Sequence, residues 1–249
     1  MRSTDSEFSP PAPGTQHSAL PMRLGLFGGS FNPIHNGHLT IARQAREILT
    51  LDRILFIPTG DPPHKQHGAL APARHRYEMV RLAIGADPTF AISDIEIARQ
   101  GKSYSIDTVR ALRQQHGPST ALFFLIGLDA FIDLPSWREP EALLAACSFV
   151  VISRPGQTYR TLASLPILPK IDTDRLASLD NGLVGRLDLP LPSGREVICL
   201  PLPPCPISAS DIRSRIRRGA ALANLLPPPV ESYILRHQLY QEDCNRTHI

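Results

Sequence analysis

The sequence lacks any apolar run approaching the roughly 20 residues that span a bilayer. Its first 21 residues also lack the apolar core of a signal peptide. No membrane partner is therefore expected, and the reading is a cytoplasmic protein. A dominant charge of one sign is missing too. Lys and Arg number 26 against 23 Asp and Glu, and a net +3 is too weak a bias to argue for a nucleic-acid partner. Cysteine is scarce. Cys147, Cys199, Cys205 and Cys244 contain no CxxC pair, and no histidine stands at zinc-ligand spacing. The expectation is a reduced chain with buried or idle thiols and no metal held by its own side chains. Tryptophan occurs once, at Trp137, and no internal repeat is apparent.

What remains is an ordinary globular composition, 42% hydrophobic and 20% charged in 249 residues, long enough for one large domain or two small ones. Residues 1–21 are Ser, Pro and polar residues with little to bury and read as a disordered N-terminal extension or a start-site artefact. Order is expected from 22 to 240 as a single domain, followed by a polar, flexible tail over 241–249.

From Arg23 onward, strand and helix patterns alternate. Leu24–Phe27, Arg53–Pro58, Phe90–Ser93, Ala121–Ile126, Phe149–Ser153 and Val197–Leu200 are short, continuous apolar runs. Such runs suit strands of a parallel sheet covered on both faces. Between them, Asn36 can N-cap a helix whose stripe is Ile41, Ala45, Ile48 and Leu49, and further helices are expected over 73–84 and 105–116. Residues 155–195 are rich in Pro, Leu and Gly and read as loop with short elements of uncertain type. Two C-terminal helices close the pattern, one starting at Ser208 and ending at Gly219, one opened by Pro227-Pro228-Pro229. The fold class is α/β, a doubly wound, mostly parallel sheet with a small C-terminal helical part. In such sheets ligands sit beyond the carboxyl ends of the strands, near the point where strand order reverses. The segments Gly28–His38, Thr59–Lys65 and Gly127–Asp129 all follow strands and should share one rim.

The stretch Gly28-Gly29-Ser30-Phe31-Asn32-Pro33-Ile34-His35-Asn36-Gly37-His38 is a strand, a tight turn and a helix start. Glycines let the backbone approach a phosphate without a Cβ in the way, and a helix N-terminus offers free N–H groups and the positive end of its dipole. His35 and His38, three apart across the helix start, can face one side and donate to phosphate oxygens whose charge grows in a transition state. The plain alternative is one capping histidine and one surface histidine.

These residues resemble the signature of the HxGH nucleotidyltransferase superfamily. Ile207-Ser208-Ala209-Ser210-Asp211-Ile212-Arg213 is similar to that superfamily's second signature. Pro62-Pro63-His64-Lys65, Ser103-Tyr104-Ser105-Ile106-Asp107-Thr108, Ile126-Gly127-Leu128-Asp129, Pro135-Ser136-Trp137-Arg138 and Arg154-Pro155-Gly156 stand in the order found in bacterial nicotinate mononucleotide adenylyltransferases. The resemblance covers about residues 22–240, weakly over 157–195. Asn32 departs from it, standing where the family usually has aspartate and removing a charge near the phosphates.

The resemblance implies a Rossmann-like nucleotidyltransferase that joins ATP and nicotinate mononucleotide into nicotinate adenine dinucleotide, with pyrophosphate leaving. It implies that His35, His38 and Arg213 act on the phosphates, with the backbone of Gly28, Gly29, Ser30 and Phe31. Gly127, Asp129, Ile207, Ser208 and Ser210 would complete the ATP site. The mononucleotide would meet His64, Lys65, Ser105, Ile106, Trp137 and Arg138, with the nicotinate ring stacked on Trp137. Mg²⁺ would be held mainly by the ATP phosphates. For Asp129 a capping role, for Trp137 a core position, and for His64 and Lys65 a solvated loop are the alternatives. A homo-oligomer is left open.

Other assignments fit less well. A phosphopantetheine adenylyltransferase or a cytidylyltransferase would not be expected to carry the Pro-Pro-His-Lys, Ser-Tyr-Ser-Ile-Asp-Thr and Pro-Ser-Trp segments. A class I aminoacyl-tRNA synthetase would want a Lys-Met-Ser-Lys-Ser-like segment, which is absent. A dinucleotide-dependent oxidoreductase would want Gly-x-Gly-x-x-Gly after the first strand, and Gly25 does not supply it. A nucleotide sensor without turnover is the non-enzymatic alternative.

Overall fold

The computed structural model describes residues 21–61, 70–154, 156–203 and 205–241. Within them, β1 (Arg23–Gly29), α1 (Asn36–Ile48), β2 (Arg53–Pro58), α2 (Ala73–Ile84), β3 (Phe90–Ile92), α3 (Ser105–His116) and β4 (Ala121–Gly127) follow in order. Next come α4 (Leu128–Ile132), α5 (Pro140–Ala146), β5 (Ser148–Ile152), α6 (Thr173–Asp180), β6 (Leu187–Pro190), β7 (Glu196–Cys199), α7 (Ala209–Arg217) and α8 (Pro228–Arg236). Short 3₁₀ turns lie at Leu134–Ser136 and Tyr159–Ser164.

The strands form one sheet in the order β3-β2-β1-β4-β5-β7-β6. All neighbours are parallel except the β6–β7 pair. The chain winds outward from β1 through β2 to β3, then returns to lay β4 on the other side of β1. Strand order therefore reverses between β1 and β4, and their carboxyl ends, Gly28-Gly29 and Gly127, lie beside each other. This is the crevice where doubly wound sheets bind ligands.

The period-two alternation of the strands sorts the core into two layers. Leu24, Leu26, Phe124 and Ile126 pack on one face with Val109 of α3, Leu143 of α5 and Leu176 of α6. Ile54, Phe56, Phe123, Leu125 and Val150 pack on the other with Ala42 of α1, Met79 of α2, Ile212 of α7 and Ile234 of α8. Both layers are closed to bulk solvent, with most of these side chains under 5% exposed. Because every central strand is covered twice, the strands read as unbroken apolar runs rather than alternating ones.

The doubly wound, mostly parallel sheet agrees with expectation, and α2 and α3 occupy the expected 73–84 and 105–116. The segment read as loop, 155–195, contains α6 and the edge strand β6. The reading placed no helix between β4 and β5, where α4 and α5 lie. The N-cap of α1 is His35, one residue before the expected Asn36. Among the described residues no helix is long and apolar enough to cross a membrane.

Candidate active site

The turn after β1 is built on Phe31. Its backbone lies in the left-handed region, with φ of 43°, a costly conformation for an aromatic residue. Burial of the ring offsets that cost: Phe31 is 2% exposed, edge-on to Phe27 at 5.6 Å and to His38 at 5.2 Å. A Cβ on Gly29 would lie 3.2 Å from the Phe31 ring, so the missing side chain makes room for it. The turn then enters α1, whose start is tied to the C-terminal segment. The Asn36 N–H donates to the Leu225 carbonyl at 2.9 Å, and Asn36 Nδ2 donates to the Asn224 carbonyl at 2.9 Å.

His35 and His38 stack, ring centroids 3.7 Å apart and planes 26° from parallel. The His35 backbone N–H donates to His38 Nδ1 at 3.3 Å. A ring nitrogen that accepts carries no proton, so neutral His38 has its proton on Nε2. Burial, and then the charge of Arg154, push the His35 imidazole down to about 4. Burial, His35 and Arg154 hold His38 well below its ordinary value as well. Both rings are therefore neutral near pH 7. His35 Nδ1 is buried without a hydrogen-bond partner.

Opposite this turn stands α7. Its N-cap is Ser208, whose Oγ accepts from the Asp211 N–H at 3.1 Å. The helix presents Arg213, whose fork is held at two points. Nη1 donates to the Asn32 carbonyl at 2.8 Å and Nη2 to Ser210 Oγ at 3.3 Å. Behind the turn lies Arg76, 2% exposed. It donates to the carbonyls of Ala71 at 2.9 Å, Ser30 at 3.0 Å and Gly60 at 3.4 Å. The two signatures, 180 residues apart in the chain, thus meet across one gap.

The cavity between them has a volume of about 1280 Å³, room for a dinucleotide by comparison with ordinary ligand pockets of roughly 300–1,000 Å³. The N-terminus of α3 also lines it, through Ser105 and Thr108. There Glu96 is buried, accepts from Thr108 Oγ1 at 3.0 Å, and has its carboxyl raised by desolvation. Half-buried Trp137 lines the same cavity, and Arg138 lies over the Tyr104 ring at 4.8 Å.

The cavity brings together most of the residues expected from sequence. Gly28, Gly29, Ser30, Phe31, His35 and His38 line it, as do Gly127 and Asp129. So do Ile207, Ser208, Ser210 and Arg213 from the second signature, and Ser105, Trp137 and Arg138 from the middle segments. Ile106 is not among them: its side chain is 1% exposed and packs in the core, which leaves only its backbone at the head of α3. Ser208 Oγ is committed to capping α7. His64 and Lys65 lie outside the described residues. Three residues to which the sequence reading assigned no role also reach the cavity wall. Arg154 extends from the end of β5, 3.6 Å from Asp129, and depresses both imidazoles. Asn32 carries the anchor for Arg213. Cys205 sits against Gly37. The string Arg154-Pro155-Gly156 was the one available signal for Arg154, and Asn32 stood inside the first signature.

Comparison with known proteins gives the family and the fold. The cytidylyltransferase-like family matches residues 26–215. A protein of Geobacter metallireducens named "probable nicotinate-nucleotide adenylyltransferase" is 42% identical over 222 residues, covering 89% of this chain and all of its own length. A Pelobacter propionicus protein of the same name is 43% identical over 225 residues, covering 89% of this chain and 99% of its own. Among solved structures, the Plasmodium falciparum nicotinic acid mononucleotide adenylyltransferase complexed with NaAD shares the fold. Its TM-score is 0.64 at 19% identity, over 88% of this chain and 97% of that one. The chain belongs to the cytidylyltransferase-like family and, within it, to the nicotinate-nucleotide adenylyltransferases.

Proposed function

We propose that this chain transfers the adenylyl group of ATP to nicotinate mononucleotide, giving nicotinate adenine dinucleotide and pyrophosphate. The observation that carries this reading is the cavity at the β1–β4 reversal, whose wall includes both a stacked histidine pair with Arg213 and the ring of Trp137. A phosphate-binding wall and an aromatic wall in one cavity suit the joining of two nucleotides.

The chemistry asks little covalent work of the protein. The mononucleotide's 5′-phosphate is already an anion near pH 7. One of its oxygens forms the new bond to the α-phosphorus of ATP while the bond from that phosphorus to the bridging oxygen of pyrophosphate breaks. The pyrophosphate carries away the electron pair, and no proton need move first. The protein's task is alignment and neutralisation of the leaving group. His38 Nε2–H, the His35 ring and the Arg213 guanidinium, all on the cavity wall, are the donors for the phosphate oxygens. Arginine suits this place because its fork stays charged and can bind two oxygens. The backbone of Gly28 to Phe31 approaches from below. Neutral imidazoles suit a site that must also release pyrophosphate, because they donate without holding a full counter-charge.

Among the described residues no three His, Cys, Asp or Glu side chains group closely enough to hold a metal ion. The phosphate end is walled instead by ring nitrogens, hydroxyls and a guanidinium. That donor set fits a Mg²⁺ carried by the triphosphate, with phosphate oxygens and water as its ligands. When bound, the ion supplies further neutralisation of the leaving group.

The acceptor ring stacks on Trp137, and its carboxylate meets the backbone N–H groups at the head of α3, near Ser105 and Ile106, with Arg138 alongside. The test is pyrophosphate release with ATP and, separately, nicotinate mononucleotide, nicotinamide mononucleotide and phosphopantetheine. Turnover with the first, and much less with the others, is expected. Equal turnover with the amide form removes the carboxylate contact, and turnover only with phosphopantetheine overturns the proposal.

A further inference from the structure

We infer that Tyr240 is a positioning residue for the phosphate end of the site, acting through Asn32 on Arg213. The inference rests on the adenylyl-transfer reading and adds a residue to it from the far end of the chain.

Asn32 is 4% exposed and joins four segments. Its Oδ1 accepts two hydrogen bonds, from the Ala71 N–H at 3.0 Å and from the Tyr240 hydroxyl at 2.9 Å. Its own carbonyl accepts from Arg213 Nη1 at 2.8 Å. The side chain that Tyr240 holds and the oxygen that aims Arg213 therefore belong to one residue. Ala71 and Tyr240 both hold the Asn32 side chain, from positions 39 and 208 residues away in the chain.

The Tyr240 hydroxyl is suited to a constant grip. Burial raises its phenol above the ordinary range, against the pull of Arg213 and Arg76. It remains a protonated donor throughout the working pH range, and the Asn32 oxygen is its acceptor. Arg76 secures the other partner, because its Nε binds the carbonyl of the same Ala71 whose N–H holds Asn32. This network also gives Asn32 a role that its departure from the family's usual aspartate left open. Its amide oxygen accepts both bonds without adding a negative charge beside the guanidinium that must meet phosphate.

The experiment is a double-mutant cycle of Tyr240→Phe and Arg213→Lys, followed by pyrophosphate release, with Asn32→Ala as a third variant. Thermal unfolding sets a temperature at which every variant is folded. Losing one buried hydroxyl bond should lower kcat/KM for ATP about tenfold. KM for nicotinate mononucleotide should stay within about twofold, because Trp137 and α3 are untouched. On the Arg213→Lys or Asn32→Ala background, Tyr240→Phe should have under about a twofold further effect, because the path through Arg213 is already broken. Full additivity overturns the inference, as does wild-type kinetics in Tyr240→Phe or an equal loss for both substrates. If Tyr240→Phe does not fold at any temperature, Asn32→Ala and Arg213→Lys form the cycle, and additivity there overturns it equally. An inactive wild-type protein would instead sink the adenylyl-transfer reading itself.

Discussion

The imidazole of His35 lies on that of His38 with 3.7 Å between ring centroids, and the His35 N–H donates to His38 Nδ1. One contact therefore fixes both the position of the second ring and which of its nitrogens carries the proton. His38 lines the cavity with that proton on Nε2, and on the adenylyl-transfer reading replacing the ring should remove a donor that acts on the developing charge of the leaving group. Losing one such preorganised donor costs roughly 10²–10³ in rate. His38→Ala should lower kcat by about that factor in a protein that stays folded, because α1 keeps its core contacts through Leu39, Ala42 and Ala45. Pyrophosphate release and circular dichroism on the same preparation check this, and near-normal turnover would exclude His38 from the chemistry.

Burial also makes His35 a source of pH-dependent stability. In the folded chain its imidazole is held down at about 4, against 6.5 for the ordinary side chain, by desolvation first and by Arg154 second. Between these values the unfolded chain binds the proton and the folded chain does not. The His35 contribution is thus fully present above pH 6.5 and is lost as pH falls from 6.5 through 4. At the bottom of that window the loss is on the order of 3 kcal/mol. Urea unfolding midpoints of the wild type and His35→Gln, followed from pH 7.5 to 4.5, should converge as pH falls. Parallel curves would show that His35 titrates in the folded chain as it does in the unfolded one.

How much of this could be read from the sequence follows from where each residue's partners sit in the chain. The central strands are doubly covered and carry continuous apolar runs, so Leu24–Phe27 and Ile54–Ile57 announce themselves. The outer edge does not. β6 is four residues long and ends in Pro190, and α6 buries only Leu176 and Leu179, so neither has enough period to stand out from a Pro-rich stretch. In the site, the two signatures are local strings and were legible as such. The Asn32–Tyr240 bond spans 208 residues, and a hydrogen bond of that range leaves no pattern in one sequence. Ile106 shows the converse: it belongs to a site-like string, yet its side chain is a core residue and is not part of the cavity wall.

Trp137 gives an optical handle on the acceptor end. It is the only tryptophan in the chain, half-buried on the cavity wall beside Arg138. A pyridine ring stacked on it should change its emission, so titration with nicotinate mononucleotide should give a saturable signal. Stacking is worth on the order of 1 kcal/mol beyond burial. Trp137→Leu should therefore raise KM for the mononucleotide by about fivefold to tenfold and leave KM for ATP nearly unchanged. An unchanged emission at saturating mononucleotide would remove Trp137 from the site.

Cysteine chemistry tests the phosphate end from another side. Cys147 and Cys199 are fully buried, and desolvation pushes both thiols up to about 12, which leaves them inert. Cys205 differs: it is half-buried and lines the cavity. Its sulfur lies 3.0 Å from the point where a Cβ on Gly37 would stand, the same distance from that point as His35 Nδ1. An adduct on Cys205 would occupy space between the first signature and α7. N-ethylmaleimide should then inactivate the native protein in step with modification of Cys205, followed by peptide mass mapping so that Cys244 is scored separately. Saturating ATP should slow both together, and Cys205→Ser should resist inactivation. Complete alkylation of Cys205 with turnover intact would show that triphosphate does not pass this side of His35.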